Sequence, residues 1–212
     1  MDILDFGTPF GLAFASGLNA YLPMLAFSLA VRWLRLYKVN QHFAFVTQGW
    51  FIAVLIILTF LDFVADKIPI IDHAWNAVHT FVRPIAGAVV AVVASSHALP
   101  TATASGQAQP GVASVAFSAI PVAGVGLFVI LVIGAALAFL SHTTKSTARL
   151  FSTITTAGSF NALLSLVEDA LVLILILLSL FASAIMLIVL VLLIFILVPR
   201  FMRIRNSWIR RG

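Results

Sequence analysis

Four carboxylates interrupt apolar stretches of this chain. Asp62 and Asp66 stand four residues apart near the end of one apolar run, so they share a face if the run is helical. Glu168 and Asp169 lie about two or three turns inside another run. A charged group inside a membrane span is costly unless it is paired or wet, and it therefore indicates a functional site that binds a cation or shuttles protons. Neutral polar ligands for that site are expected from Asn19, Asn161 and Ser165.

Basic and histidine side chains form two polar stripes. His79 and Arg83 are four residues apart in a stripe that starts at Asp72, and Lys145 and Arg149 are four apart in the other. Each stripe predicts a polar-faced helix, which lies at the membrane surface or lines a wet cavity. Two such helices at the interface would form a gate or bind an anionic phosphate headgroup. The residues predicted for this gate or headgroup site are Lys67, His73, His79, Arg83, His142, Lys145 and Arg149.

A divalent cation is the candidate cofactor. Carboxylate oxygens suit Mg, Ca or Mn, and histidine widens the choice to zinc or iron. The candidate metal ligands are Asp66, Asp72, His73 and His79. The simpler interpretation is structural: the carboxylates pair with the basic residues, or the basic residues only determine topology. The cations concerned are Lys67, Arg83, Lys145 and Arg149.

The elements that position these groups must be membrane helices. Of the 212 residues, 62% are hydrophobic and 9% are charged, and the mean hydropathy is +1.16. Soluble domains carry about a quarter charged residues. The formal charge of +5 does not indicate nucleic acid, because the arginines sit at the ends of apolar runs. With no cysteine the chain has no disulfide and no Cys-ligated metal.

We expect an all-α, polytopic transmembrane bundle of about six spans in a single domain, residues 1–212. The first span is retained, since the acidic N-terminus is unlike a signal peptide. Its Gly17 and Pro23 predict a helix that packs against protein and is either kinked at the proline or broken. The third is short enough to be re-entrant. The predicted spans are 9–31, 49–65, 85–95, 115–140 and, within 160–198, either two spans or one span with a re-entrant piece.

The distribution of Lys and Arg orients this arrangement. Six spans place nine of them on one side and three on the other, which puts both termini in the cytoplasm. Residues 200–212 then form a basic cytoplasmic tail, and 97–114, which lack charged residues, form a flexible loop. The glycines between Gly124 and Gly134 permit self-association into a homo-oligomer.

Three stretches carry a family resemblance: GLNAYLP, FLDFVADKIPIIDHAWNAVHTFVRPIAGA and LLSLVEDALVL. With them, nearly the whole chain resembles the bacterial integral-membrane family known as domain of unknown function 4126. The resemblance implies a small multi-span protein of the bacterial inner membrane. It implies no activity.

The sequence therefore favours an inner-membrane transporter or channel-like protein that moves a small ion or polar solute across the lipid bilayer. In this interpretation the carboxylates bind the proton or cation, and the basic helices form the gate. One alternative is binding or translocation of an anionic lipid through the His, Arg and Lys residues. Others are a scaffold subunit or a lipid-modifying enzyme, although His73 and His79 lack the i, i+4 spacing of a zinc pair on a helix.

Overall fold

The computed structural model describes residues 6–65, 69–95, 112–156 and 160–209. Within them the side chains of 69–76, 112–125, 161–162, 201 and 203–209 are left undescribed. The described chain is all-helical, as the composition predicts, with seven α-helices and a long 3-10 helix at Gln41–Thr47. The α-helices are α1 Gly7–Ser16, α2 Leu22–Arg32, α3 Gly49–Ala65, α4 Pro69–Ser95, α5 Val112–Thr156, α6 Asn161–Phe181 and α7 Ser183–Ile209.

Several of these helices are long and apolar enough to cross a membrane. Four stretches qualify individually, and a fifth qualifies if the 3-10 helix and α3, which meet at 57°, count as one bent span. The described residues thus contain four or five qualifying spans where about six were predicted. The four are Ala77–Ser95, Gly126–Thr156, Leu163–Phe181 and Ser183–Arg200.

The difference from six arises in the first predicted span, which is broken. Helix α1 has 10 residues and α2 has 11, and Gly17 to Tyr21 between them are not helical. At 1.5 Å per residue each is about 15–17 Å long, roughly half of a bilayer core. The side-chain oxygen of Asn19 accepts from the amides of Tyr21 at 3.2 Å and Leu22 at 2.9 Å, and so caps the start of α2. The span is therefore broken before Pro23 rather than kinked at it, and Pro23 sits in the first turn of α2.

Helix α1 is the centre of the bundle. Nine of its ten residues are buried, and it packs against α4, α5, α6 and α7. Glycines allow this approach: a β-carbon on Gly11 would collide with the side chains of Ser179 and Met186, and one on Gly17 would collide with Ser141 and the carbonyl of Ala138. Small residues at helix contacts are typical of membrane bundles, where close backbone packing replaces the hydrophobic effect.

Hydrogen bonds join the N-terminal end of α1 to the junction of α6 and α7. Thr8 donates from its hydroxyl to the carbonyl of Ser179 at 2.6 Å and from its amide to the hydroxyl of Ser183 at 3.1 Å. Tyr37, in the segment after α2, donates to the carbonyl of Leu180 at 2.6 Å. Burial raises the pKa of Tyr37 above its ordinary value of 10.0. The hydroxyls thus satisfy carbonyls at the end of α6 that no helical amide reaches.

Helices α4 and α5 correct two predictions. The separate surface helices expected around His79 and Lys145 are parts of two continuous helices, α4 of 27 residues and α5 of 45. Pro84 lies inside α4 and does not end it, and the short third span 85–95 is the end of the same helix. A proline is tolerated in a membrane helix when neighbouring helices surround it, and here α5 packs along α4.

Gly87 and Gly134 face each other at this α4–α5 contact. A β-carbon on either residue would press against the backbone carbonyl of the other, at 2.9 Å for Gly87 and 2.7 Å for Gly134. Gly134 is therefore used inside the protomer, whereas a β-carbon on Gly126 would meet open space. The predicted loop 97–114 falls outside the described residues except for 112–114, which belong to α5.

The stretch 160–198 forms two helices, each long enough to span. Only Ala182 separates α6 from α7. Along α7 just 11% of the spanning stretch is buried, which is typical of a helix that faces lipid. The predicted tail continues α7 as helix to Ile209, beyond Pro199.

Candidate functional site

Asp62, His79 and Arg83 meet in the interior. Asp62 is the last acidic residue of α3 that the structure describes, and His79 and Arg83 follow each other by one turn on α4. Asp62 Oδ1 lies 3.2 Å from His79 Nδ1 and 3.7 Å from Arg83 Nη2, with side-chain exposures of 0%, 1% and 1%. A charge this deeply buried is stable only when opposite charge and hydrogen bonds surround it.

Arg83 connects this trio to α1 and α5. Its Nη1 donates to the carbonyl oxygen of Gly17 at 3.3 Å, and the same nitrogen is 3.3 Å from His142 Nδ1. Because a guanidinium only donates, His142 must accept at Nδ1. The Nε2 of neutral His142 then carries the proton and donates to the hydroxyl of Thr80, 3.3 Å away.

A second group of charges surrounds Glu168 on α6. Arg149 of α5 donates two hydrogen bonds to the Glu168 carboxylate: Nε is 3.2 Å and Nη2 is 2.6 Å from Oε2. Lys145 Nζ lies 3.3 Å from the same oxygen and donates to the carbonyl of Leu18 at 3.0 Å. Two-nitrogen arginine–carboxylate contacts are strong and fix geometry. Glu168, which lacks a basic neighbour in sequence, therefore has two cations beside it in space.

The carbonyls at the end of α1 join the two groups. Gly17 and Leu18 are adjacent, and they accept from Arg83 and Lys145 respectively. Among the described buried residues of the site there are three cations, Arg83, Lys145 and Arg149, but two carboxylates. A helix C-terminus carries partial negative charge and unsatisfied carbonyls. The end of α1 therefore offsets the surplus positive charge.

The Nδ1 atom of His79 faces one donor and one acceptor at the same distance. Arg83 Nε donates to it at 3.2 Å, which requires a lone pair on Nδ1. Asp62 Oδ1 is also 3.2 Å from Nδ1, and that contact is favourable only when a proton lies between the two atoms. One proton therefore decides whether His79 bonds to Asp62 or accepts from Arg83.

The structure divides the predicted site residues among three places. Asp62, His79, Arg83, His142, Lys145, Arg149 and Glu168 form the buried network just described, which we call the interior cluster. Asn19 and Asp169 instead line a cavity between α2, α3 and α6. Ser165 is buried on α6, three residues before Glu168. Asp66 and Lys67 lie outside the described residues, as do the side chains of Asp72, His73 and Asn161.

These positions correct the assignment of separate roles to acids and bases. The basic residues were expected at the interface and the carboxylates within the span, but the two sets bond to each other in one interior cluster. Glu168 and Asp169 were expected to act together, yet they face different surroundings, because consecutive residues point about 100° apart around a helix. The basic side chains point into the bundle because the carboxylates and the carbonyls at the end of α1 lie in its interior.

The interior cluster consists of ion pairs and hydrogen bonds. Among the described residues, no group of three or more His, Asp or Glu side chains is placed to hold a metal ion. A metal at His79 Nδ1 would have to displace Arg83, and one at Glu168 Oε2 would have to displace Arg149. Ser141 donates to the carbonyl of Phe14 at 2.6 Å, so its hydroxyl is not aimed at the adjacent His142.

Sequence reasoning missed the partners that are backbone atoms. Gly17 was recognised as a packing residue, but the roles of the Gly17 and Leu18 carbonyls depend on a helix ending beside two cations. Ser141 was missed although it stands four residues before Lys145 and so shares its face. Thr80 follows His79 in sequence, and its contact with His142 requires the α4–α5 pairing.

The fold and the site define a class: an all-α membrane protein with a charged interior around a broken central helix. Residues 7–203 match the family described as "Domain of unknown function (DUF4126)". The chain belongs to this family, as the three sequence stretches indicated. No curated protein matches the chain. No solved structure matches it either.

Proposed function

We propose that this protein is a proton-coupled transporter of a small ion or polar solute. The observation that carries the proposal is the single Nδ1 atom of His79 placed between Asp62 Oδ1 and Arg83 Nε at 3.2 Å each. An ion pair that serves only to stabilise the fold requires a carboxylate and a cation, and no histidine between them. A group whose bonding partner changes with one proton adds a response to the proton gradient.

Binding of one proton rearranges the interior cluster in a definite way. A proton between His79 and Asp62 bonds those two and removes the lone pair that accepts from Arg83 Nε. Arg83 keeps its contacts with the Gly17 carbonyl and with His142, whose Nδ1 accepts from Nη1. Tyr21, in the break, packs edge-on against the His79 ring at a centroid distance of 5.9 Å. Proton binding thus changes the forces on the break between α1 and α2.

A helix that breaks in the buried interior of the bundle supports the same proposal. In transporters, helices that break inside the membrane expose carbonyls and helix ends that bind ions and substrates. Here those carbonyls are held by Arg83 and Lys145, whose other contacts include the carboxylates Asp62 and Glu168. Protonation of a carboxylate weakens the ion pair and leaves the cation more dependent on the carbonyl.

We place the transporter in the bacterial inner membrane with both termini in the cytoplasm. Counting α1–α2 as one broken crossing and α3 to α7 as five more gives six crossings, which return the chain to its starting side. Arg83, Lys145 and Arg149 are buried and no longer count toward topology. The remaining Lys and Arg still favour the side of the C-terminus by six to three.

The anionic-lipid alternative draws less support. It needs basic groups that reach a headgroup at the interface. Arg83 is 1%, Lys145 4% and Arg149 6% exposed, and each donates to a carbonyl or a carboxylate inside the bundle. A lipid phosphate would therefore have to enter the interior and compete with Asp62 and Glu168.

Proteoliposomes that contain a pH-sensitive dye test the proposal. One candidate solute at a time is added outside the vesicles, and the internal pH is followed. The candidates are an amine, a monovalent cation, a divalent cation, an amino acid and phosphate. We expect a solute-dependent pH change with the wild-type protein that is lost in Asp62→Asn and retained in Arg32→Gln, whose parent side chain is exposed and bonds to Thr47. Solute uptake without proton movement would refute the coupling.

The lipid alternative is tested separately by thermal stability in detergent. A native-state ligand raises the melting temperature in a concentration-dependent way. If an anionic lipid stabilises the protein and Arg83→Gln removes the effect, while Glu168→Gln retains it, the lipid function replaces the transporter. If proton concentration alters stability and Asp62→Asn removes the effect, proton coupling gains independent support.

A further inference from the structure

The cavity between α2, α3 and α6 has an apolar wall that opens toward lipid. Its volume is about 330 Å³, within the range of small-molecule sites. Ile56 and Phe60 on α3 and Leu173 on α6 line it and are 51%, 65% and 53% exposed on the outside of the bundle. A molecule dissolved in the bilayer can therefore reach the cavity sideways, without passing through water.

The polar residues of the cavity are Asn19, Thr59 and Asp169. Of the nine residues that line it, Asp169 is the one ionisable side chain. The hydroxyl oxygen of Thr59 is buried and makes no hydrogen bond with any described residue. A buried hydroxyl of this kind costs free energy, and a ligand that bonds to it recovers that cost.

We propose that this cavity binds an amphiphilic amine, with its ammonium group at Asp169 and Thr59 and its apolar body against Ile56 and Phe60. An ammonium has three donors and no acceptor, which suits a carboxylate and a free hydroxyl lone pair. An anionic amphiphile would meet the charge of Asp169, and an uncharged alkyl chain would use neither polar group. The cavity is thus selective by charge as well as by size.

The cavity also lies where its occupant can influence the interior cluster. Asn19, whose side-chain oxygen caps α2, lies in the broken segment and lines the cavity, and Arg83 and Lys145 donate to carbonyls of the same segment. Asp169 is adjacent in α6 to Glu168, whose carboxylate contacts Arg149 and Lys145. The inference rests on the proposed function in one respect: it makes the amphiphilic amine the transported substrate.

Protection of an introduced thiol tests the site directly. The chain contains no cysteine, so Leu173→Cys creates a unique thiol in the cavity wall and leaves Asp169 and Thr59 intact, and Val191→Cys on the lipid-facing α7 is the matched control. Each protein is reconstituted in phosphatidylcholine vesicles and alkylated by a membrane-permeant maleimide. The probes are octylamine, octanol and octanoate, compared at equal concentration in the bilayer.

We expect octylamine to slow alkylation at the Leu173→Cys position at concentrations roughly tenfold below those of octanol, because a charge-assisted hydrogen bond increases affinity by about a factor of ten or more. At the Val191→Cys position the three probes should act alike. Asp169→Asn in the Leu173→Cys protein should reduce the protection by octylamine to the level of octanol. The comparison of octylamine with octanol needs no second mutation, so it stands even if Asp169→Asn does not fold.

Equal protection by octylamine and octanol would overturn the proposal and leave a groove for lipid tails. Stronger protection by octanoate, no protection by any probe, or octylamine protection that survives Asp169→Asn would overturn it as well. The assay measures binding at equilibrium and needs no proton gradient. Failure of binding therefore leaves proton coupling at His79 standing, and failure of proton-coupled flux leaves the amine site standing.

Discussion

Replacement of Glu168 by glutamine should be among the most damaging single changes in the interior cluster. Glu168→Gln removes the carboxylate that both Arg149 and Lys145 contact, at 2.6 Å and 3.3 Å. Loss of one partner of a buried ion pair costs about 3–5 kcal/mol, because a charge is left uncompensated in the interior. For a chain of this size that corresponds to a fall of roughly 6–20 °C in melting temperature.

The reverse change should cost less. Arg149→Gln leaves Glu168 with Lys145 Nζ at 3.3 Å, so we expect a loss of about 2 kcal/mol. The double variant leaves a neutral pair beside Lys145, which keeps the Leu18 carbonyl as its acceptor. Its cost should fall short of the sum of the single costs by about 2 kcal/mol, within the range of coupling energies for residues in contact.

Unfolding by increasing sodium dodecyl sulfate in mixed micelles measures these free energies. Arg32→Gln is the matched control, since Arg32 is exposed and its described hydrogen bond is to the carbonyl of Thr47, the last residue of the 3-10 helix. This change should cost at most about 1 kcal/mol. Additive costs in the double variant would show that Glu168 and Arg149 are not a pair. A Glu168→Gln cost no larger than that of Arg149→Gln would show that Lys145 is not the second partner.

Three further outcomes follow from packing and hydrogen bonds. Gly17→Ala should lower the yield of folded protein and cost more than the usual 1–3 kcal/mol of overpacking, because its β-carbon would collide with Ser141 and a backbone carbonyl. The control Gly126→Ala, whose β-carbon meets open space, should be near neutral when both variants are compared by thermal unfolding in detergent. Asn19→Ala should cost about 0.5–2 kcal/mol in the mixed-micelle assay through loss of the α2 cap, and Asn19→Asp should restore most of it. The raised pKa of Tyr37 means that the folded state favours the neutral phenol. The stability that this preference contributes is complete below pH 10.0 and is lost as pH rises through the raised pKa. The free energy of unfolding, measured on both sides of pH 10.0, should therefore depend less on pH in Tyr37→Phe.

Composition and periodicity predicted the parts of this protein that depend on local sequence. The apolar runs predicted an all-helical membrane protein, and the spacing of His79 with Arg83 and of Lys145 with Arg149 predicted two polar helix faces. Both faces exist, on α4 and α5. The glycine and proline of the first span left a kink and a break as alternatives, and the structure has the break, at residues 17–21.

What those faces contact was not predictable in the same way. A polar stripe has the same spacing whether it faces water at the interface or charges inside a bundle, because periodicity gives the face and not the neighbour. Pro84 read as a helix boundary, yet packing of α4 against α5 and α1 outweighs its missing hydrogen bond. Glu168 and Arg149 are nineteen residues apart, so only the tertiary arrangement pairs them.

The interior cluster and the break in α1 depend on each other. If α1 continued into α2, the carbonyls of Gly17 and Leu18 would accept from helical amides, and three buried cations would face two described carboxylates. If the cations were absent, those carbonyls would lie buried beside α5 without a donor, at a cost of about 1–3 kcal/mol each. Arg83 and Lys145 therefore stabilise the break while the break offsets their charge. A proton that moves between Asp62 and His79 changes one bond of Arg83 and so acts on this balance. Asn19, one of the five residues of the break, also lines the cavity proposed to bind an amine, which makes the break the element through which the proposed proton and substrate would be coupled.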